Sequence, residues 1–493
     1  MPDPGRDQLQ AELEALRAEN AQQAGEIAAQ AGEIERLSRK ITELEQRLSQ
    51  GSKNSSLPPS SDSPKQQAEA TKTRADRRAE AKAKRKGDVE RRRGKQPGAP
   101  GKNLEMKAVP DKVVTHEPTT CSSCGEDLSE ADEEGIERRQ VFDTPDPIIV
   151  ATEHRSVKLR CRCGKLNAGT FPKEATAPAS YGPNVRAATL YLLFGQHLSV
   201  ERTADAMSTM LGAEVSTGFV ASLAKEAAGG LTSFVDVIRR RLTASFLVHA
   251  DETSDQVRTD KWWFHVVSND LYTYLFASPT RAKSAPDEAG VLPEFAGVMV
   301  HDRLAMYFKY DKATHAICLA HILRELEPIG IGWDQGWAND MADLLREMNN
   351  AAHDARRKGA TALAPPLLKT FLARYDTIVD QGLSANPDPL NRERDYLERK
   401  AYNLVAALKK LKPEATRFAT DLRVPMTNNL AERDVRMLKL HSKISSCFQS
   451  DDGARNFATV RSYISTARKH KVNALDALAM LFRGDAWMPP NTT

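Results

Sequence analysis

Hydrophobic residues recur every seven positions between residues 8 and 50. Nine of the twelve a and d positions are apolar, with no change of register, which predicts a dimerising coiled-coil helix over 1–50. Asn20 at an a position is typical of parallel dimers with a fixed register. A single amphipathic helix lying on its own domain is the alternative. The a positions are Leu13, Asn20, Ile27, Ile34, Ile41 and Leu48, and the d positions are Leu9, Leu16, Gln23, Gln30, Leu37 and Leu44.

The hydrophobic period is helical between residues 182 and 229. Two helices joined by the short turn "GAEV", the second beginning at a Ser/Thr cap, have the outline of a helix-turn-helix. We assign residues 176–235 to this region and expect it to bind DNA, although an ordinary helical hairpin has the same pattern.

From residue 245 the pattern shortens to the alternation of β-strands. It predicts strands in "SFLVHADETS", "KWWFHVVSND" and "LYTYLFASP", then a helix, the strand "AGVMVHD", and a helix from "HAICLAHILREL". Residues 240–335 are therefore predicted as the first part of an α/β core. Residues 336–420 are predicted to be a helical insertion, and residues 421–493 to close the core and add C-terminal helices.

The charge of the chain is nearly balanced overall and uneven locally. There are 70 basic and 66 acidic residues, but the stretch from Lys72 to Lys102 holds 13 Lys or Arg and 4 Asp or Glu. This composition predicts a basic, disordered linker over 51–107 that contacts nucleic-acid phosphates. We find no apolar run long enough to span a membrane and no signal segment, so we expect a cytoplasmic, nucleoid-associated protein.

Four of the six cysteines form two close pairs. Cys121 and Cys124 make a C-x-x-C-G turn, and Cys161 and Cys163 make a tighter C-x-C pair. Four thiolates suit a structural Zn²⁺ in residues 108–175, with His116 or His154 as possible substitutes in the second half. Free or redox-active cysteines are the alternative.

Two aspartates follow predicted strands. Asp251 and Asp302 would meet at the sheet rim if their strands are neighbours, and paired carboxylates of this kind hold Mg²⁺ or Mn²⁺. A third carboxylate usually completes such a site. Ordinary aspartates in turns are the alternative. Glu432 is spaced either to pair with Arg436 on a helix or to complete a helix cap with Asn429.

Several segments, in this order, resemble the insertion sequence 66 family of transposases, which are DDE-type enzymes with an RNase H-like core. The resemblance extends from about residue 52 to 485. It is carried by "KNSSLPPSSD", "GKQPGAPGK", the C-x-x-C turn, "ADET", "VMVHDRLAMYFKY", "HAICLAHILREL", "TNNLAERDVRMLK", "KISSCFQSDDGARNF" and "RSYISTARKH".

The resemblance implies that Asp251, Asp302 and Glu432 are the catalytic, metal-binding residues. His301, Arg303, Asn428, Asn429 and Arg436 are expected to support them or to contact DNA. Cys318 and His321 form a C-x-x-H for which core packing and metal binding both remain open. The chain departs from the family pattern where glycine is usual (Ser254, Ala282, Arg303 and Ser446), where arginine is usual (Gln449), and in its C-x-C pair.

The fold class expected is a helix-rich mixed α/β protein with an RNase H-like sheet. The function expected is a transposase that cleaves its element's ends and joins them to target DNA with Mg²⁺. It would act as a dimer or higher oligomer through its coiled coil, with small accessory proteins as possible partners. The rival hypotheses are a catalytically inactive, zinc-containing DNA-binding regulator and an RNase H-like nuclease without strand transfer.

Overall fold

The structure is a computed structural model that describes residues 106–490, apart from 131–135, 143–148, 173–174, 176, 333–334 and 389–395, together with Gln23 and Gln30. The predicted coiled coil therefore lies outside the described residues, except for these two glutamines, which are helical, and so does nearly all of the linker. The chain divides into two compact units, Pro64–Ile149 and Met1–Ser63 with Val150–Thr493.

Thirteen α-helices occur among the described residues. Those that precede the large sheet are α1 (Pro183–Leu190), α2 (Val200–Leu211), α3 (Thr217–Gly230) and α4 (Thr232–Thr243). Those that come after its first three strands are α5 (Ser284–Ala289), α6 (Leu319–Glu327), α7 (Gly336–Arg357), α8 (Pro365–Ala385), α9 (Tyr396–Lys410), α10 (Lys412–Thr420), α11 (Asn429–Ser445), α12 (Asp451–Lys469) and α13 (Ala474–Phe482).

One mixed sheet is formed by β3 (Leu247–Val257), β4 (Asp260–Ser268), β5 (Thr273–Ser278), β6 (Val298–His301) and β7 (Thr314–Ile317). Across the sheet the strand order is β5-β4-β3-β6-β7. Its first three strands are an antiparallel meander, and β6 and β7 extend the sheet in parallel beside β3. The chain is thus a helix-rich mixed α/β protein, as predicted. The two strands that precede this sheet in the chain, β1 (Lys158–Arg160) and β2 (Leu166–Ala168), form a separate antiparallel hairpin.

Two strand predictions were wrong in detail. Asp251 does not end its strand, because β3 continues for six more residues to Val257. The polar residues after Asp251 stay in the sheet because each pairs with β4, as far as Val257 opposite Asp260. Residues 315–317, predicted as the start of a helix, belong instead to β7 (Thr314–Ile317), because this segment pairs in parallel with β6.

The helices and the sheet bury two large apolar cores. The first joins α1–α4, α11–α13 and the sheet, and Phe234 of α4 packs edge-to-face on Tyr463 of α12 with ring centroids 4.9 Å apart. The second lies among α6–α10, around Trp337, Tyr375 and Phe418. The four helices of residues 336–420 therefore pack on one another and on α6.

The helices α2 and α3 lie where the sequence predicts them. The Ser199 and Ser216 hydroxyls accept main-chain N–H groups at their first turns, and Gly212 ends α2 with a φ of 63°. The buried face of α3, with Val220 and Leu223, belongs to the same core as the sheet. No helix among the described residues combines the length and apolar character that crossing a membrane requires.

Candidate active site

The register of the sheet brings the two predicted aspartates to one place. His249 of β3 lies opposite Val300 of β6 in a parallel pair. Asp251 is two residues beyond His249, and Asp302 is two residues beyond Val300, so the two aspartates lie within electrostatic reach of each other where β6 ends. The β6 strand ends at His301, which leaves Asp302 at the edge beside a continuing β3.

Asp251 is held in a strongly acidic environment. The main-chain N–H of Glu252 donates to its Oδ1 at 2.9 Å. Burial raises the pKa of Asp251 well above its ordinary value, and the negative charges of Glu252, Asp302 and Glu432 raise it further. Asp302 and Glu432 therefore both lie within electrostatic reach of Asp251.

Asp302 occupies the turn after β6. Its Oδ1 accepts the main-chain N–H of Leu304 at 2.8 Å, which fixes the carboxylate in the turn. Burial and the charge of Glu252 raise the pKa of Asp302, while His321 and Arg281 act in the opposite direction.

Glu432 lies in the first turn of α11, and its side chain is only 15% exposed. Its main-chain N–H donates to Asn428 O, and Oε1 lies 3.7 Å from Cys318 Sγ and 3.9 Å from His321 Nδ1. Arg436 is exposed, and no carboxylate of the described residues forms an ion pair with it. The simple Glu432–Arg436 pairing is therefore absent from the described structure.

The residue at the helix cap is Asn428, one position before Asn429. It is 1% exposed, and its side chain makes no cap hydrogen bond, because its amide bonds to β3 instead. Asn428 Nδ2 donates to Ala250 O at 2.8 Å, and Oδ1 lies 2.9 Å from His249 Nδ1. These contacts tie the start of α11 to the strand that carries Asp251. Asn429 is exposed.

Glu252 is a fourth carboxylate at the site that the sequence analysis missed. Its side chain is 2% exposed, and it accepts hydrogen bonds from Tyr307 Oη at 2.5 Å and from Arg281 Nη2 at 2.6 Å. The Arg281 guanidinium also lies 4.7 Å from the ring centroid of Trp263. The signal was present in "ADET", since two adjacent acids on a buried strand point to opposite faces and both need partners.

His301 and Arg303 flank Asp302 and are already paired. His301 is fully buried, with Nε2 3.0 Å from His315 Nδ1, and burial together with the His315 charge lowers its pKa to about 3. Arg303 Nη2 lies 2.6 and 2.5 Å from the two carboxylate oxygens of Glu325 on α6. His301 was expected either to support the catalytic carboxylates or to contact DNA. Because its ring is fully buried, the supporting role is favoured.

The four knuckle cysteines form two turns with matching hydrogen bonds. In the first, Cys121 N–H donates to Glu126 O and Gly125 N–H to Cys121 O, both at 2.8 Å. In the second, Cys161 N–H donates to Lys165 O and Gly164 N–H to Cys161 O, again at 2.8 Å. The C-x-C turn is thus the C-x-x-C turn shortened by one residue. In both turns glycine is required, because Gly125 and Gly164 have φ values of 79° and 87°.

The chemistry of both donor sets fits the expected metals. Main-chain N–H groups, first that of Cys124, lower the pKa of Cys121 to about 7, and that of Cys163 lowers the pKa of Cys161. Depressed thiol pKa values favour the thiolates that zinc requires. Where β6 ends, burial and then the neighbouring negative charges raise the pKa values of Asp251 and Asp302, and a divalent cation would neutralise that charge.

The chain also resembles known proteins. Residues 178–456, more than half of the chain, match the model of the Transposase IS66 family. Residues 118–164 match the zinc-finger binding domain of transposase IS66, which supports a structural zinc, and residues 1–105 match a family of unknown function.

Two proteins of Sinorhizobium fredii (strain NBRC 101917 / NGR234) are similar. Uncharacterized protein y4hP is 26% identical over 425 residues, which are 75% of this chain and 71% of that protein. Uncharacterized protein y4qI is 24% identical over 294 residues, which are 54% of this chain and 53% of that protein.

Proposed function

Because the chain belongs to the IS66 transposase family and is therefore a DNA-processing enzyme, we propose that it cleaves the ends of its own insertion element and joins them to target DNA. The reaction would be phosphoryl transfer at Asp251, Asp302 and Glu432. The observation that supports this proposal is the β3–β6 register, in which Asp251 and Asp302 are each two residues beyond the last pair, together with the influence of the Glu432 charge on the pKa of Asp251. The sheet order, an antiparallel meander extended by two parallel strands, is consistent with an RNase H-like core.

The protein's own contribution is a rigid set of acidic ligands. Asp251 and Asp302 each use Oδ1 to accept a main-chain N–H, so their rotamers are fixed while their Oδ2 atoms remain available. Glu432 is brought to them by α11, whose first residue comes directly after the buried Asn428. Two Mg²⁺ or Mn²⁺ ions bound by the three carboxylates would activate the attacking oxygen and stabilise the leaving oxygen. Fixed ligands avoid reorganisation when charge develops at the phosphorus.

The DNA would approach the open edge of this site. Arg436 and Asn429 are exposed on α11, on either side of Glu432 along the sequence, and are suited to phosphate contacts. The basic residues 51–107 and the helices α2 and α3 would bind DNA further from the cut. Arg303 would form an ion pair with Glu325 and would not contact a DNA phosphate, because its guanidinium is already paired with that carboxylate.

The remaining parts of the chain would assemble the active complex. We assign Cys121, Cys124, Cys161 and Cys163 as structural Zn²⁺ ligands, because residues 118–164 match the zinc-finger domain and the two knuckle turns share their hydrogen-bond pattern. Residues 1–50 would pair two protomers, so that both element ends are cut together, and small accessory proteins would join them.

A strand-transfer assay on DNA carrying the element's ends tests the reaction. We expect Asp302→Asn and Glu432→Gln to abolish cleavage and joining in Mg²⁺ while binding of end DNA persists. Asp255→Asn is the matched control, because Asp255 is on the same strand and face as Asp251 but bonds to Ser442 of α11. Its activity should stay within a few-fold of the wild type.

The same assay separates the rival functions. Cleavage without joining by the wild-type protein would indicate a nuclease. Binding of ends without any nick would indicate a DNA-binding regulator, and strand transfer that survives Asp302→Asn would show that the assigned carboxylates are wrong.

A further inference from the structure

The first turn of α6 faces the first turn of α11 and brings three different metal ligands together. One ligand atom from each of Cys318, His321 and Glu432 lies within 4.8 Å of the other two. We infer that these three atoms form a second transition-metal site, separate from the cysteine knuckles, that binds Zn²⁺ and shares Glu432 with the catalytic carboxylates.

The distances suit one ion after a small contraction. At ordinary zinc bond lengths, ligand atoms around a tetrahedral ion are about 3.3–3.6 Å apart. In the structure, Glu432 Oε1 is 3.7 Å from Cys318 Sγ and 3.9 Å from His321 Nδ1. The third separation, between Cys318 and His321, is at most 4.8 Å, so side-chain adjustments of up to about 1 Å would close the site.

His321 is oriented for a ligand that the protein itself does not supply. Its Nδ1 is shielded from solvent and has no hydrogen-bond partner among the described residues. An unpaired buried ring nitrogen is unfavourable, and metal coordination is a common way to satisfy it. The rest of the side chain is 39% exposed, so an ion can reach the cluster.

Cys318 is placed to be a stabilised thiolate once its proton is displaced. Its Sγ accepts the main-chain N–H of Asn428 at 3.1 Å, and the N–H groups of Ala320 and His321 also favour the charged form. Burial nevertheless raises the pKa of the free thiol, so metal binding must release a proton to solvent. N–H donors to the sulfur are the usual outer shell of a zinc thiolate.

The ligand set determines which metal is selected. A thiolate and an imidazole favour Zn²⁺ strongly over Mg²⁺, which prefers oxygen ligands. Three protein ligands leave a fourth position open. Because Glu432 serves both sites, zinc here would withdraw it from the Mg²⁺ site. This regulatory consequence rests on the proposed function, whereas the binding of zinc does not.

Metal analysis of the purified full-length protein, equilibrated with Zn²⁺ and dialysed, tests the binding. We expect two zinc per wild-type chain, and one in each of Cys318→Ser and His321→Ala. Cys447→Ser is the matched control, because Cys447 is the remaining cysteine outside the knuckles and this cluster, and it should retain two. An unchanged zinc content in both Cys318→Ser and His321→Ala would overturn the proposal.

Cobalt spectroscopy identifies the ligands and guards against misfolding of a variant. With one equivalent of Zn²⁺ per chain supplied first, which the all-thiolate knuckles take in preference, added Co²⁺ should produce a thiolate charge-transfer band in the wild type and in Cys447→Ser. The band should disappear in Cys318→Ser and shift in His321→Ala, with the melting temperature of each zinc-loaded variant showing that it is folded. The same band in Cys318→Ser would exclude Cys318 as a ligand, whether or not the protein transposes.

Discussion

Ser446, which directly follows the last residue of α11, occupies a backbone conformation that glycine adopts more easily. Its φ of 64° and ψ of −143° lie outside the regions that residues with a Cβ normally populate. The conformation is imposed by Phe448, because this residue must reach the end of β3, where its N–H donates to Gln256 O at 3.0 Å. The Phe448 ring is buried against Phe264 and His441, so the turn cannot relax without losing that contact.

Replacing Ser446 with glycine should therefore stabilise the protein. Such conformations cost about 1–3 kcal/mol for a residue with a side chain. Glycine loses about 0.5–1 kcal/mol through the extra freedom of the unfolded chain. The middles of these two ranges give an expected net gain of about 1 kcal/mol, which is a few degrees in melting temperature at about 2–4 °C per kcal/mol. Ser446 is exposed, so little packing is lost.

Thermal melting of the zinc-loaded protein measures this gain, and two variants control it. Ser446→Ala keeps the Cβ and should not melt higher than the wild type. Ser254→Gly places glycine within β3, opposite Trp263, and should melt lower by the equivalent of about 0.5–1 kcal/mol. The reasoning would be refuted if Ser446→Gly melted no higher than the wild type, or if Ser446→Ala gained as much.

Three further predictions concern the carboxylates and their support. Asp302→Asn should raise the melting temperature of the Mg²⁺-free protein at neutral pH, because the pKa of Asp302 is raised in the folded state, and the folded state therefore loses stability as pH rises from the ordinary pKa of an aspartate through the raised one. Added Mg²⁺ should stabilise the wild type more than this variant. A lower melting temperature for the Mg²⁺-free variant would contradict the assignment. Strand transfer at low, fixed Mg²⁺ should decline as pH falls through the raised pKa values of Asp251 and Asp302, above the ordinary carboxyl range, and more Mg²⁺ should move the decline to lower pH. Asn428→Ala should destabilise by about 2–4 kcal/mol in denaturant unfolding, because buried groups of β3 lose their partners, whereas Asn429→Ala at an exposed site should change stability by less than about 0.5 kcal/mol.

Local pattern was sufficient for the elements whose signals are local. The caps at Ser199 and Ser216, the strands β4 and β5 and the helices between 336 and 420 are explained by hydrophobic period and capping chemistry. The family could be identified for a related reason, since its motifs are short runs of residues in a fixed order. The match to the Transposase IS66 family confirms that identification.

The sequence alone did not predict the strand boundaries that depend on pairing with a neighbouring strand. β3 extends past Asp251 because β4 supplies hydrogen bonds to a polar segment, and β7 is a strand because β6 lies beside it. In both cases the local sequence has only a weak preference for a strand. The hydrogen bonds of the neighbouring strand determine the conformation, and the sequence does not show which strand that neighbour is.

Residue chemistry alone made Asp251 and Asp302 candidates for one acidic site and put Cys318 and His321 on one helix turn, whereas Glu432 was added by the family resemblance. Tertiary structure decided what surrounds them. It placed Glu252 beside Asp251 and Asp302, paired Arg303 with Glu325, and set Glu432 against Cys318 and His321. The physical reason is that sequence spacing determines only which residues share an element, whereas which elements face each other is determined by burying their apolar faces in common cores.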